Sequence, residues 1–222
     1  MSELIDVCKQ NDTKLALKFI ENKANLDIQN NMGWTALMWS CCNNNTELVL
    51  KLIGNKANLN LQNKYGITAL MWSCENNNTE IVLKLIENKA NLDLQNENGW
   101  NALMWSCLKN NTEIVSKLIE NKANLNLQDE DRWTALMWSC YENNKEIALK
   151  LIENKANLDI QNKYRETALM WSCRNNNTEI TLKLIENKAN LDLQSKIKGY
   201  TALMLSCRWN NTEIISILLE TI

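Results

Sequence analysis

One string governs this sequence. TALM, or NALM in one copy, begins at Thr35, Thr68, Asn101, Thr134, Thr167 and Thr201, at intervals of 33 residues and, for the last, 34. Each copy is followed by WSC or LSC, an Asn-rich stretch, a block such as TEIVLKLIENKAN and a pattern such as LDLQN. A period of that length marks a stacked-repeat protein, in which one supersecondary unit recurs and buries its apolar face on the next. Residues 1–30 carry the later part of the same unit, LALKFIENKANLDIQN, and read as a capping repeat without its leading turn. The successive repeats are 31–63, 64–96, 97–129, 130–162, 163–195 and 196–222, which makes about seven units. No Pro-, Gly- or Ser-rich linker interrupts them, so a single domain over 1–222 is expected.

Within a unit the elements are short. The segment Thr68 to Cys74 reads as a helix with Thr68 as its N-cap, and Asn101 caps equally well at the matching point. Asn76 to Asn78 is a polar break, because asparagine competes with the helix by bonding to nearby backbone. Thr79 to Glu87 then places Ile81, Val82, Leu85 and Ile86 on one face of a second helix. Asn91 to Trp100 is extended and closes in a turn around Asn98-Gly99. Isolated helices shorter than about 12 residues are marginal in water, so these helices must stack on their neighbours. The expected class is all-α, a helical solenoid.

A 33-residue unit with G-x-T-A-L, then SC where small residues pack, then EIV-x-x-L-I and A-N-L-D resembles the ankyrin repeat, and the resemblance spans residues 1–222. It implies helix-turn-helix units, each followed by a hairpin loop projecting sideways. Two departures recur. Ala-Leu-Met, as at Ala69 to Met71, stands where the family usually has Pro-Leu-His. Lysine stands where the family has glycine after the second helix, at Lys23, Lys56, Lys89, Lys122, Lys155 and Lys188. A non-glycine residue held at positive φ costs on the order of 1 kcal/mol.

Catalysis finds little support in the residues. Histidine is absent, which removes the commonest general base and a principal zinc ligand. There is no glycine-rich phosphate loop, and the adjacent Glu130 and Asp131 have no partner in a recognisable relation to them. Neither a cofactor nor a metal is expected. Cys8, Cys41, Cys74, Cys107, Cys140, Cys173 and Cys207 recur in one phase. Units stacked about 8–10 Å apart exceed the roughly 7 Å reach of a disulfide, so these read as small core residues. Cys42 alone breaks the phase and reads as an exposed thiol. Such usage implies a reducing compartment, the cytoplasm first, with the nucleus left open. Trp39, Trp72, Trp105, Trp138 and Trp171 form a second series, read as structural, because rings one repeat apart cannot hold consecutive bases. With a net charge of -2 and no long apolar run, neither nucleic acid nor a membrane is the expected partner.

Comparing the units with one another singles out two variable sets, read as positions free of stacking. One lies in the turn before TALM: Met32 and Trp34, Tyr65 and Ile67, Asn98 and Trp100, Asp131 and Trp133, Tyr164 and Glu166, then Lys198 and Tyr200. The other ends the first helix: Cys42, Glu75, Leu108, Tyr141, Arg174, Arg208 and Trp209. In the family resembled, the matching positions line a concave face where partners bind. Tryptophan and tyrosine are also the residues that dominate protein interfaces. Charge is sorted along this set, with Glu97, Asp129, Glu130 and Asp131 in the middle and Lys163, Arg165, Arg174, Lys196, Lys198 and Arg208 after them. Arg132 and Arg165 replace the turn glycine of Gly33, Gly66, Gly99 and Gly199, which predicts strain or a changed turn there.

The ends differ from the middle. Ser2-Glu3 with Lys9, Lys14 and Lys18 reads as a polar cap, whereas Ile217 and the stop at Thr221-Ile222 predict a continuing chain or self-association. The expected function is a non-catalytic module binding a protein or peptide on its concave face. The alternatives are the targeting or substrate-recruiting domain of a larger enzyme or channel, and a gankyrin-like proteasome-assembly chaperone.

Overall fold

The computed structural model describes residues 3–221, so Ser2 and Ile222, which belong to the two expected ends, lie outside the described residues. Fourteen helices and no strand occur among the described residues. In chain order they are α1 (Glu3–Lys9), α2 (Thr13–Glu21), α3 (Ala36–Cys42), α4 (Thr46–Gly54), α5 (Ala69–Glu75), α6 (Thr79–Glu87) and α7 (Ala102–Leu108). There follow α8 (Thr112–Glu120), α9 (Ala135–Tyr141), α10 (Lys145–Glu153), α11 (Ala168–Arg174), α12 (Thr178–Glu186), α13 (Ala202–Arg208) and α14 (Thr212–Thr221). They form seven helix-turn-helix pairs. The odd-numbered helices pack each on the next as one layer, the even-numbered helices as a second, and each pair closes on itself. This is the helical solenoid that the period predicts.

Local chemistry fixes each element. Thr68 stands at the N-cap of α5 with extended backbone, and its hydroxyl accepts from the Met71 amide at 3.2 Å. Asn101 does the same for α7, accepting from Met104 at 2.9 Å. The second helices α4, α6, α8 and α12 are capped by asparagine, as where Asn78 Oδ1 accepts from the Ile81 amide at 3.1 Å, and α2 is capped by Asp12. Such caps are each worth about 1 kcal/mol. Between the helices of a pair one asparagine is left-handed, as at Asn77 (φ 58°), and asparagine bears that conformation better than most residues.

The six lysines after the second helix hold positive φ themselves, from 57° at Lys23 to 67° at Lys122. At Lys89 the geometry is that of a helix C-terminal cap. Its amide bonds Ile86 O at 3.0 Å, and Ala90 N bonds Leu85 O at 3.0 Å. The preceding Asn88 keeps φ at -91°, so the strain rests on the lysine.

The core is a single column of repeated side chains. Leu70, Met71 and Cys74 of α5 and Ile81, Val82 and Leu85 of α6 are buried, as are their counterparts in neighbouring units. Met71 sits where the family usually has histidine, and its thioether fills the space with no polar group to satisfy. At the first end Lys9, Lys14 and Lys18 are exposed, as a polar cap requires. At the last end Leu219 is exposed.

Candidate functional site

Successive hairpins run side by side. The backbone carbonyl of each tip residue accepts from the next hairpin: Met32 from Lys64, Tyr65 from Glu97, Asn98 from Glu130, Asp131 from Lys163 and Tyr164 from Lys196, at 2.7–3.0 Å. Below this rung glutamine side chains make a second one. Gln62 Nε2 donates to Gly66 O within its own turn at 2.6 Å and to Gln95 O of the next unit at 2.9 Å. A third rung joins an aspartate or asparagine to the backbone one unit on, as Asn60 Oδ1 accepting from Asn91 N at 2.7 Å. The hairpins therefore form one continuous edge on which the first variable set is displayed.

Three residues expected to be free of stacking are not. Trp34 lies on Trp39 of its own unit, ring centroids 4.0 Å apart, and reaches Trp72 of the next at 5.1 Å. Trp100 lies 4.8 Å from both Trp105 and Trp138. Trp133 lies 4.7 Å from Trp138 and 5.0 Å from Trp171. The hairpin indoles thus interleave with the inner-helix indoles, filling the gaps that a repeat-long spacing leaves. Ile67 stands at the matching position between the Trp72 and Trp105 units, and Glu166 between the Trp171 and Leu205 units, so the column is interrupted there. Trp133 is buried, at 8% exposure, and Trp34 and Trp100 are half-buried. The expectation of exposed tryptophan anchors at these positions is corrected accordingly. Their constant offset of five residues ahead of Trp39, Trp105 and Trp138 was the signal for this.

Four other aromatics of the variable sets do face outward. Tyr65, Tyr141, Tyr164 and Trp209 are exposed, as is Met32. Tyr141 stands edge-on over Trp133 and Trp171, at 5.5 and 5.1 Å, which holds its ring in place while leaving one face open. Asn98, Asp131, Arg165, Arg174 and Arg208 are exposed, whereas Cys42, Ile67, Glu75, Leu108, Glu166 and Tyr200 are partly buried.

Two grooves gather members of the variable sets, the first from the hairpin set alone and the second from both sets. One, of about 270 Å³, is lined by Asn98, Trp100, Asp129, Glu130, Asp131 and Trp138. The other, of about 220 Å³, is lined by Glu166, Trp171, Arg174, Ile197, Lys198, Tyr200, Arg208 and Trp209 among others. Ile197 was not foreseen. It belongs to the inserted, longer last hairpin, and its side chain is 61% exposed.

The charges of the two grooves have different origins. Asp129 stands where other units carry asparagine or serine. It is buried, its Oδ1 accepts from Trp133 N at 2.8 Å, and its Oδ2 accepts from Trp138 Nε1 at 3.0 Å. Burial nevertheless outweighs these bonds and raises its carboxyl above the ordinary value. Where asparagine stands instead, Trp39, Trp72 and Trp171 keep buried indole N–H groups without a partner, and so does the Asn63 amide. Asp131 is bonded by Lys163, so this boundary between acidic and basic hairpins is partly neutralised. Arg174 and Arg208, in contrast, have no carboxylate within ion-pair distance among the described residues.

The thiols follow the stack. Burial pushes Cys8 and Cys173 to about 11 and Cys41, Cys74 and Cys107 to about 12, so all are neutral at physiological pH. Each of these five lies against the serine of the following unit, as Cys74 against Ser106. Cys140 differs because Ser172 bonds Leu169 O and Thr181 Oγ1 instead, at 2.9 and 3.0 Å. Cys207, expected in the core with the others, is exposed: α13 packs on α11 and α14, and among the described residues no repeat is stacked on its other side. Cys42 is partly buried. Among the described residues no group of His, Cys, Asp or Glu is placed to hold a metal ion, and no helix is long and apolar enough to cross a membrane.

The human ASB11 ankyrin repeat domain, a crystal structure, superposes with a TM-score of 0.78 at 22% identity, over 100% of this chain and 98% of that one. That likeness shows the fold. No curated protein sequence matches the chain. The family model for ankyrin repeats, three copies to a match, fits residues 4–96, 76–162 and 150–222. Those matches overlap end to end and leave almost no residue outside, and a fold of this kind is generally a protein-interaction scaffold; the chain belongs to the ankyrin-repeat family.

Proposed function

We propose that the chain is a non-catalytic module, one domain over its length, that binds a protein or peptide across its hairpin tips and the ends of its odd-numbered helices. The observation that carries this reading is the pair of grooves. The first lies between neighbouring hairpins over Trp138, the second joins a hairpin to two helix ends, and between them they gather eight of the variable residues: Asn98, Trp100, Asp131, Glu166, Arg174, Tyr200, Arg208 and Trp209. The stacking positions are nearly invariant from unit to unit, so the framework is rigid and its decoration is free to vary. Exposed Tyr65, Tyr141, Tyr164 and Trp209 supply amphipathic contact area at low entropic cost. The acidic groove precedes the cationic one along the array, so a partner with a basic and then an acidic segment would gain orientation and on-rate. Core thiols held neutral and the lack of histidine support the non-catalytic part.

The test compares proteins retained from the source organism's lysate by three forms of the chain. The first is intact. The second carries Tyr65→Ala, Tyr141→Ala and Trp209→Ala, all exposed. The third carries Leu50→Ala and Leu182→Ala, exposed on the even-numbered helices. Circular dichroism and melting temperature confirm that all three are folded. Proteins kept by the first and third and lost by the second place the partner on the hairpin side. Equal retention by all three overturns the reading.

A further inference from the structure

We propose that the groove between the last two repeats is the receptor for an acidic peptide segment of the partner, in which carboxylates flank a bulky apolar side chain. This deepens the function proposed above and rests on it. The groove has an apolar floor and a cationic rim. Trp171 is buried at its base, and Ile197 and Trp209 stand 61% and 50% exposed at its mouth. An apolar side chain seated there would remove this surface from water.

The rim is set for carboxylates. Arg174 lies over two indoles at once, 4.8 Å from the Trp171 ring and 5.7 Å from the Trp209 ring. Arg208 lies 5.8 Å from the Tyr200 ring, and its Nη1 is 3.3 Å from the Tyr200 hydroxyl. A guanidinium over an aromatic ring still has N–H groups to donate, and their fork matches a carboxylate bidentately. Neither arginine has a carboxylate partner among the described residues. Lys198 adds a third cation to the lining. The single lining carboxylate, Glu166, accepts instead from Asn162 Nδ2 at 3.1 Å. The groove is therefore a cationic, aromatic-walled slot whose arginines meet no carboxylate partner among the described residues.

The test is fluorescence anisotropy with the full chain and labelled decapeptides of Gly and Ser around a centre Asp-Asp-Leu-Phe-Glu. The counterparts carry Asn-Asn-Leu-Phe-Gln, Lys-Lys-Leu-Phe-Lys or phosphoserine in place of the aspartates. The acidic peptide should bind at least about tenfold more tightly than the amide one, and weaken as salt shortens the screening length. Arg174→Gln and Arg208→Gln should each weaken it about fivefold or more, Arg174→Lys less, and Leu50→Ala, exposed on the even-numbered layer, not at all. Glu166→Gln should strengthen it, an effect that misfolding could not produce.

Absence of binding, equal affinity for the amide peptide, or indifference to both arginine variants overturns the proposal. So does binding of the phosphoserine peptide alone. Sedimentation showing an oligomer that the arginine variants dissolve would also overturn it, since the occupant would then be an acidic hairpin of a second copy. If the peptides fail while the tyrosine and tryptophan variants still lose partners in the lysate, only the groove chemistry falls. If both fail, the functional reading falls with it.

Discussion

Hairpins one repeat apart are joined alike by their backbone, yet the first three turns are closed by Gly33, Gly66 and Gly99 and the next two by Arg132 and Arg165. All five hold positive φ, between 58° and 78°. At the glycines the next hairpin comes very close. A Cβ on Gly66 would lie 2.8 Å from Asn96 Cα, and one on Gly99 2.6 Å from Asp129 Cα. Arginine carries that Cβ, so the following hairpin must stand further off. The glutamine rung records it: Gln29, Gln62 and Gln95 reach the next glutamine carbonyl at 2.8–2.9 Å, Gln128 and Gln161 at 3.4 and 3.3 Å. The backbone rung is unchanged in length, 2.9 Å for Lys163 to Asp131 against 2.9 Å for Glu97 to Tyr65. Room for the side chain is thus made at the base of the hairpin and not at its tip.

The wider hairpins must be held by something else, and the indole column is the candidate. Trp133, next to Arg132, is the most buried hairpin tryptophan and touches Trp138, Trp171 and Tyr141. Trp133→Ala should therefore cost about 3–5 kcal/mol in urea unfolding, more than Trp34→Ala at a glycine-closed turn. Equal losses would break the contrast. Gly66→Arg should cost about 2–4 kcal/mol, combining left-handed strain with the backbone clash. Asp129→Asn sharpens the picture at the junction of the two regions. Removing the acceptor of the Trp138 N–H should cost about 1 kcal/mol in acid. Because the folded carboxyl is raised, the stability it contributes is full below its ordinary value of 3.8 and is lost as pH rises through the folded value. The difference between variant and parent should then shrink toward neutral pH, and a gap that widens would contradict it. The smallest effect belongs to Arg132→Gly. Relief of strain is offset by the greater freedom of glycine in the unfolded chain, leaving a gain of no more than about 1 kcal/mol. A loss would show that the arginine side chain itself holds the turn.

Much of this architecture was legible because stacking imposes its requirements once per unit. The threonine caps, the left-handed lysines and the buried methionines all recur at one phase, and one repeat read correctly is all repeats read correctly. Two things were not legible. The asparagines between the helices read as a polar break, yet they also cap α4, α6, α8 and α12 and bond across units, as where Asn175 Nδ2 meets Cys140 O at 2.9 Å. Variation between units reads as freedom from stacking. Trp34, Trp100 and Trp133 show the flaw, since a column of rings tolerates an isoleucine or a glutamate at one rung without losing the others. The grooves were half legible. Arg174 and Trp209 could be placed at the same level of the array, but that the guanidinium lies between two rings needed coordinates.

The third rung of the hairpin edge has a consequence for how the molecule assembles. Its bonds join Asp27 to Asn58, Asn60 to Asn91, Asp93 to Asn124, Asn126 to Asn157 and Asp159 to Asn190, always 31 residues apart. The entropy of closing a loop depends on its length, so every step of growth along the array meets the same closure term. Sequence separation between partners does not increase as the array lengthens, unlike in a sheet whose ends must meet. Folding can then begin at any pair of neighbouring units and travel outward at a roughly constant free-energy cost per unit. Such a chain could be lengthened by whole repeats without its folding becoming topologically harder.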